Sequence, residues 1–172
     1  LDPLGNSRPD HPLLALSEYG PVTHVDASKK SVAQARDNSA LSGMADRPIR
    51  WLVDDAAKFV AREVRRETRY HGVILDPPSY GRGPKGETWK IEEMLPPLLD
   101  DLRKVLADDH AFFLLSSHST GYTPMALTNL LGEICDLSQG EVIADEMTVT
   151  EVGEGGRPLP SGASALFARG PK

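Results

Sequence analysis

Apolar residues along the chain follow two alternating patterns. Short β-rich runs end on an acid or a polar pair, and stretches with apolar residues every three or four positions follow them. "PVTHVDASKKSVAQARDNSALSG" opens with a strand, Val22 to Val25, that ends at Asp26. Ser28 can cap the helix behind it and Gly43 can close it; Val32, Ala35 and Leu41 lie roughly on one face. "IRWLVDDAAKFVAREVRRETRY" repeats the plan, with a strand at Ile49 to Val53, a turn at Asp54–Asp55 and helical spacing of Ala56, Phe59, Val60 and Val64. "HGVILDPP" reads as a third strand. In "IEEMLPPLLDDLRKVLADD", Met94, Leu95, Leu98, Leu99, Leu102 and Leu106 give a helical stripe. Proline suits a first turn, so the regular part of that helix is expected to begin at Pro96–Pro97. "HAFFLLSSHS" is a fourth strand, Pro124 to Leu137 a further helix, and "EVIADEMTVTEV" and "GASALFARG" are two late strands. Between these last two, "GEGGRPLPS" reads as a Gly/Pro-rich loop.

Strands alternating with helices predict an α/β fold with a mostly parallel sheet and helices on both faces. The two closing strands have no helix between them, so antiparallel pairing is expected there. No internal repeat, low-complexity tract or linker is visible. With 172 residues, 40% hydrophobic and 26% charged, the chain is expected to form a single domain over residues 1–172. A net charge of −6 argues against a surface that grips nucleic acid everywhere, but leaves room for a local basic patch. One cysteine, Cys135, allows no disulfide framework and no cysteine-based metal site, and no metal is expected. No apolar run approaches the length of a membrane span, and no signal peptide is visible. A cytoplasmic setting and no membrane partner are the expectation.

In open α/β sheets, ligands bind beyond the carboxyl ends of the strands. Asp26, Asp54–Asp55 and Asp76 all fall there. An acid at such a strand end can accept hydrogen bonds from two ribose hydroxyls, and Asp55, one strand over, could accept from an adenine amino group. For each acid taken alone, helix capping is the better explanation; three at successive tips shift the balance moderately towards a nucleoside pocket.

"DPPSYGRGPKGE" follows the third strand. Pro77 and Pro78 lock the backbone and remove two N–H donors. The Asp76 carboxylate and the carbonyls of Asp76 and Pro77 then form a fixed set of acceptors, suited to a planar amino group that must lose a proton. Tyr80 can stack on the ring that carries that group. The plainer alternative is a rigid proline turn with a partly buried tyrosine.

Together, "VTHVDASKKSVAQARDN", "IRWLVDDAAKFV" and "GVILDPPSYGRGPKGETWK" resemble class I S-adenosylmethionine-dependent methyltransferases, in particular the group that includes bacterial 23S ribosomal RNA large-subunit methyltransferases. The resemblance runs from about Val22 to the end of the chain and is strongest from Asp76 to Trp89. It implies a Rossmann-like sheet, S-adenosylmethionine as cofactor and RNA, in particular ribosomal RNA, as partner. Asp26, with Ala27 beside it, would hold the cofactor ribose. Asp55 and the backbone of Ala56 would meet the adenine. Asp76, Pro77, Pro78, Ser79 and Tyr80 would face the methyl-accepting base. The pattern breaks at residues 1–20, where the glycine-rich cofactor turn of that family is expected. "LDPLGNSRPDHPLLALSEYG" has only Gly5 before Gly20, so this region reads as divergent or truncated.

Methylation at cytosine C5 needs a cysteine nucleophile. None lies near Asp76–Tyr80, and Cys135 is expected in a core helix, so transfer to a base nitrogen is the better reading. Arg82, Lys85 and Lys90 flank the Asp-Pro-Pro segment and could contact phosphates. Arg62, Arg65, Arg66 and Arg69 suit a solvated helix C-terminus. His24 is expected in the core. His118 follows the fourth strand and could face the pocket, without an assigned role. Trp51 and Trp89 suit packing, with Trp89 the better base platform of the two. Two other classes stay open: a methyltransferase-like binding module without catalysis, and a nicotinamide-dependent oxidoreductase. The latter has no G-x-G-x-x-G turn here and gives no reason for Asp-Pro-Pro-Ser-Tyr.

Overall fold

The computed structural model describes residues 20–82, 88–153 and 155–170. The chain divides into two compact units, residues 1–59 and 60–172. Residues 1–19, on which most of the segment expected to be divergent or truncated falls, and Lys85 lie outside the described residues.

In the first unit, β1 (Val22–Asp26) and β2 (Ile49–Val53) pair in parallel, with Val22 opposite Ile49 and Asp26 opposite Val53. The connecting helix α1 (Lys29–Leu41) packs against both strands. Its ends are where the sequence puts them. The Ser28 hydroxyl accepts from Ser31 N at 3.2 Å, and Gly43, at φ +76°, takes the left-handed turn that lets Met44 N reach Ser39 O at 2.9 Å. Val32 and Met44 are buried. Helix α2 (Ala56–Arg65) begins directly after Asp55.

The second unit is built on a four-stranded sheet ordered β3-β6-β8-β7. Strands β3 (Gly72–Leu75) and β6 (Phe112–Ser117) run parallel; β8 (Pro158–Arg169) pairs antiparallel with β6 and with β7 (Gly140–Thr150). The mixed α/β architecture with antiparallel closing strands is therefore as expected. Along β6 and β8 burial alternates, so Phe113, Leu115 and Ser117 share one buried face with their partners Phe167, Ala165 and Ala163. Helix α4 (Pro124–Ile134) packs on β6, β7 and β8 and contributes the buried Leu127 and Leu131. Its entry is fixed by Thr123, whose hydroxyl accepts from Ala126 N, and by Pro124 in the first turn. It ends at Ile134, earlier than Leu137, because Asp136 starts a separate short turn by accepting from Ser138 N.

Three local expectations are corrected. Helix α3 (Ile91–Val105) begins five residues before Pro96 and carries both prolines inside it. Pro96 and Pro97 remove two helical N–H donors. Both are exposed, so water can meet the carbonyls they leave, while Ile91, Leu95, Leu98, Leu99, Leu102 and Val105 form a continuous buried stripe. Burial of that stripe outweighs the lost bonds. Second, Tyr80–Arg82 (β4) and Thr88–Lys90 (β5), where no element was expected, form a small antiparallel pair. Third, β8 starts at Pro158, inside the stretch read as loop. Pro158 and Pro160 have the same parity, so both ring nitrogens point to one side of the strand. That side is left open by β6, whose pairing with β8 ends at Ser117–Ala163.

Phe113 and Phe167 are fully buried opposite each other. Phe113→Ala should cost about 3–5 kcal/mol of stability. In urea unfolding this appears as a lower midpoint with an unchanged slope; an unshifted midpoint would show that the β6–β8 face is not the core of this unit.

Candidate functional site

The first unit carries the acids at the carboxyl ends of β1 and β2. Asp54 N donates to Asp26 O at 3.0 Å, which keeps the two strand ends together. Asp26 is half-buried, and its Oδ1 accepts from Ser28 N at 2.6 Å. Among the described residues no group donates to its second oxygen. Asp55 caps α2 by accepting from Lys58 N at 2.9 Å through Oδ1. Capping is therefore real for Asp55, while Asp26 holds the turn before the Ser28 cap, and among the described residues each carboxylate keeps a free oxygen. The N–H of Ala56, in the first turn of α2, is one of the donors a helix cannot pair internally. The Asp55 acceptor beside the Ala56 donor matches an adenine edge, which offers an amino donor beside a ring-nitrogen acceptor. The free oxygen of Asp26 suits a ribose hydroxyl, and Ala27 lies exposed beside it. These residues fit the adenosine part of S-adenosylmethionine, which when bound would supply an activated methyl group.

The second unit carries the Asp-Pro-Pro segment at the end of β3. Pro77 is buried and anchors it; Asp76, Pro78, Ser79 and Tyr80 are exposed. Ser116 Oγ donates to Asp76 Oδ1 at 2.6 Å, and Ser119 Oγ donates to Ser79 Oγ at 2.7 Å. The segment is latched from the far side: Trp89 Nε1 donates to Pro78 O at 2.6 Å and Ile91 N to Ser79 O at 3.2 Å. Trp89 thus acts as a strut for the backbone, in keeping with the packing role expected for it. With those two carbonyls taken, the carbonyls of Asp76 and Pro77 meet no donor among the described residues. Together with the second oxygen of Asp76 they form the acceptor set expected from the sequence. Tyr80 stands 53% exposed on β4, and its hydroxyl accepts from Arg82 Nε at 2.9 Å. Lys90 pairs with Glu93 at 2.8 Å, which leaves Arg82 as the described cation nearest to the ring in sequence.

Sequence reasoning missed Ser116 and Ser119 and gave His118 no role. All three follow from the parallel register that sets Leu75 beside Leu115 and so brings the next residues of both strands together. Contacts across some 40 residues leave no local signal. The arginines after α2 are structural: Arg69 Nη1 donates to Lys104 O at 2.7 Å, and Arg66 pairs with the buried Glu63 at 2.9 Å. Burial alone would raise the Glu63 carboxyl, but bonds from Tyr70, Arg66 and Thr68 prevail and hold it below its usual value. His24 is half-buried with its ring 5.2 Å from Trp51. Among the described residues no group of three His, Cys, Asp or Glu is placed to hold a metal, and no helix is long and apolar enough to cross a membrane.

Acids at strand ends in the first unit and an Asp-Pro-Pro segment at a strand end in the second are what the resemblance to class I S-adenosylmethionine-dependent methyltransferases leads one to expect. Known structures agree on the fold. Over 91% of its length the chain is similar to a SAM-dependent methyltransferase from Agrobacterium tumefaciens, at 34% identity and a TM-score of 0.80, and it spans 51% of that protein. It is similar in fold to a SAM-dependent methyltransferase from Streptococcus mutans (13% identity, TM-score 0.62, 86% of this chain and 38% of that one). It is similar in fold also to a precorrin-8w decarboxylase from Methanobacterium thermoautotrophicum (12% identity, TM-score 0.55, 87% and 69%). No protein-family model and no curated protein matches the chain. The chain has the fold of S-adenosylmethionine-dependent methyltransferases, and its likeness to them supports S-adenosylmethionine as the cofactor. It spans about half the length of the Agrobacterium relative.

Asp26→Ala should weaken S-adenosylmethionine binding by about 1–3 kcal/mol through lost ribose hydrogen bonds. Calorimetry checks it, and unchanged affinity would remove Asp26 from the site.

Cys135 is buried, and burial pushes its thiol up to about 11. The native thiol should resist iodoacetamide at pH 8 and react at once in denaturant. Because the native value is raised, the stability this group contributes is intact below the unfolded thiol value. It is lost as the pH climbs towards about 11. Rapid native alkylation would contradict the burial.

Proposed function

We propose that this chain is the catalytic domain of an S-adenosylmethionine-dependent methyltransferase that acts on RNA, ribosomal RNA in particular, at a base nitrogen, in the cytoplasm. The proposal takes residues 1–172 as one domain. The observation that carries it is the Asp76–Tyr80 segment: a carboxylate and two open carbonyls held rigid beside an exposed aromatic ring. An exocyclic or ring N–H of a base can donate to the acceptors while the ring stacks on Tyr80. The fold by itself does not choose the acceptor, since similar folds include a precorrin enzyme. The choice rests on the acceptor chemistry. It also rests on the lack of a cysteine beside it, which disfavours the covalent route to a base carbon. Catalysis of this kind depends on in-line placement more than on strong acid–base help. Arg82 is placed for a phosphate next to the stacked base; Lys85 is assigned the same role from the sequence alone. Titration of S-adenosylmethionine against NAD separates this function from a nicotinamide-dependent one, and binding without transfer would mark a non-catalytic module.

The direct test is transfer of a labelled methyl group to ribosomal RNA stripped of its modifications. Asp76→Ala should abolish transfer with cofactor affinity nearly intact. Tyr80→Ala should weaken RNA binding by roughly 1–3 kcal/mol. Tyr80→Phe should be close to neutral, because stacking needs the ring and not the hydroxyl. Full activity in Asp76→Ala, or equal defects in the two Tyr80 variants, would overturn these roles.

A further inference from the structure

His118 sits at the end of β6 with its ring in a fixed orientation. Nδ1 is hydrogen-bonded to the carbonyl of Ser161. A carbonyl can only accept, so the proton of the neutral ring is on Nδ1 and Nε2 carries a lone pair. Nε2 lies 3.9 Å from Asp76 Oδ1, which already accepts from Ser116. Two acceptors therefore face each other with no donor between them among the described residues. Both groups are open to solvent, and an N–H group of a ligand could donate into the gap between them.

The orientation is built into the sheet. The register of β7 and β8 slips so that Met147 faces Gly162 and Thr148 faces Pro160, leaving Ser161 without a partner in the ladder. Such a bulge turns a backbone group out of the sheet, here the carbonyl that holds Nδ1. Gly162 permits it. Its φ is +147°, and a Cβ there would strike Ser117 O, the Met147 methyl and Nδ1 of His118. Side chains of His118 and Asp76 are 55% and 58% exposed, open to a ligand.

We infer that Nε2 of His118 is the proton acceptor for the methyl-accepting nitrogen, beside Asp76. This deepens the base-nitrogen function above and rests on it. The cofactor supplies the methyl carbon, and its sulfur keeps the electron pair of the broken bond. On the acceptor side, the nitrogen lone pair forms the new N–C bond and leaves one proton in excess. That proton passes to Nε2, and the imidazolium then faces the Asp76 carboxylate. One positive charge enters on sulfur and one remains on His118, so charge and atoms balance.

Long-range proton–nitrogen NMR of the full chain, with His118 assigned by comparison with His118→Gln, tests the geometry without any substrate. Neutral His118 should show its proton on Nδ1; a proton on Nε2 overturns the inference whatever the enzyme does. With stripped ribosomal RNA, His118→Ala should lower kcat by about 100-fold or more, with KM and S-adenosylmethionine affinity nearly unchanged. Added imidazole should restore part of the rate. His118→Gln keeps a polar side chain of similar reach and should show the same loss. A rate within about twofold of wild type in either variant, or a loss that imidazole does not restore, overturns the proton-acceptor role. No transfer by the wild-type chain would count against the proposed function on which the inference rests, while the tautomer still decides the state of His118.

Discussion

The parallel pairing of β3 with β6 is the constraint on which the acceptor half of the molecule depends. Its register is set at Gly72, which lies opposite Phe112. A Cβ at Gly72 would collide with the Phe112 ring, so the strand can take this register only because that position has no side chain. A slip of β3 by one residue would move Asp76 away from Ser116 and turn the side chains of β3 to the opposite face, while β6 stays held by its pairing with β8. The β3–β6 pairing thus fixes the polar cluster at the sheet edge. The strand ends add little stability of their own. They inherit their positions from apolar packing, which is how an exposed carboxylate can be held within 2.6 Å of a hydroxyl.

Much of this was legible in the sequence where local chemistry decides. Ser28, Gly43 and Thr123–Pro124 mark helix ends, and the structure puts those ends there because each satisfies backbone groups within a few residues. Strand identity was equally plain in the runs that carry dense β-branched and aromatic residues. Failures fall where distant packing overrides local preference. Pro96 and Pro97 argue for a helix start, but the stripe from Ile91 to Val105 extends the helix past them. "YGR" and "TWK" are too short to alternate, so their pairing was invisible. For the candidate site, the strand-end positions of Asp76, the other acids and His118 could be read, whereas Ser116 and the bulge at Ser161 could not. Their relation to Asp76 exists only once β6 and β8 are in register.

Trp89 shows how a packing residue can shape a site. Packing was the role expected for it ahead of a base platform. Its indole N–H fills Pro78 O at 2.6 Å and ties β5 to the proline segment. A buried or half-buried indole N–H needs an acceptor, and a proline carbonyl that has lost its helical or sheet partner needs a donor. Each satisfies the other. The consequence for the site is selective: the carbonyls of Pro78 and Ser79 are consumed, those of Asp76 and Pro77 are not. The open acceptors are thereby narrowed to the strand-proximal side of the segment, where Asp76 itself points.

Helix capping and ligand binding are often posed as rival explanations for an acid at a strand tip, and here they coexist. A carboxylate has two oxygens and about four lone-pair directions. Asp26 spends one oxygen on Ser28 N, and Asp55 spends one on Lys58 N. Those bonds fix the side-chain torsions, so the second oxygen is presented in one direction instead of sampling several. The entropy of ordering the side chain is then already met in the folded chain before any ligand arrives. The same logic holds at Asp76, where Ser116 takes one oxygen and aims the other. A bond that one carboxylate oxygen accepts from a neighbour, a helix cap at Asp55, a turn at Asp26 and a serine hydroxyl at Asp76, is therefore a means of preorganising the other oxygen.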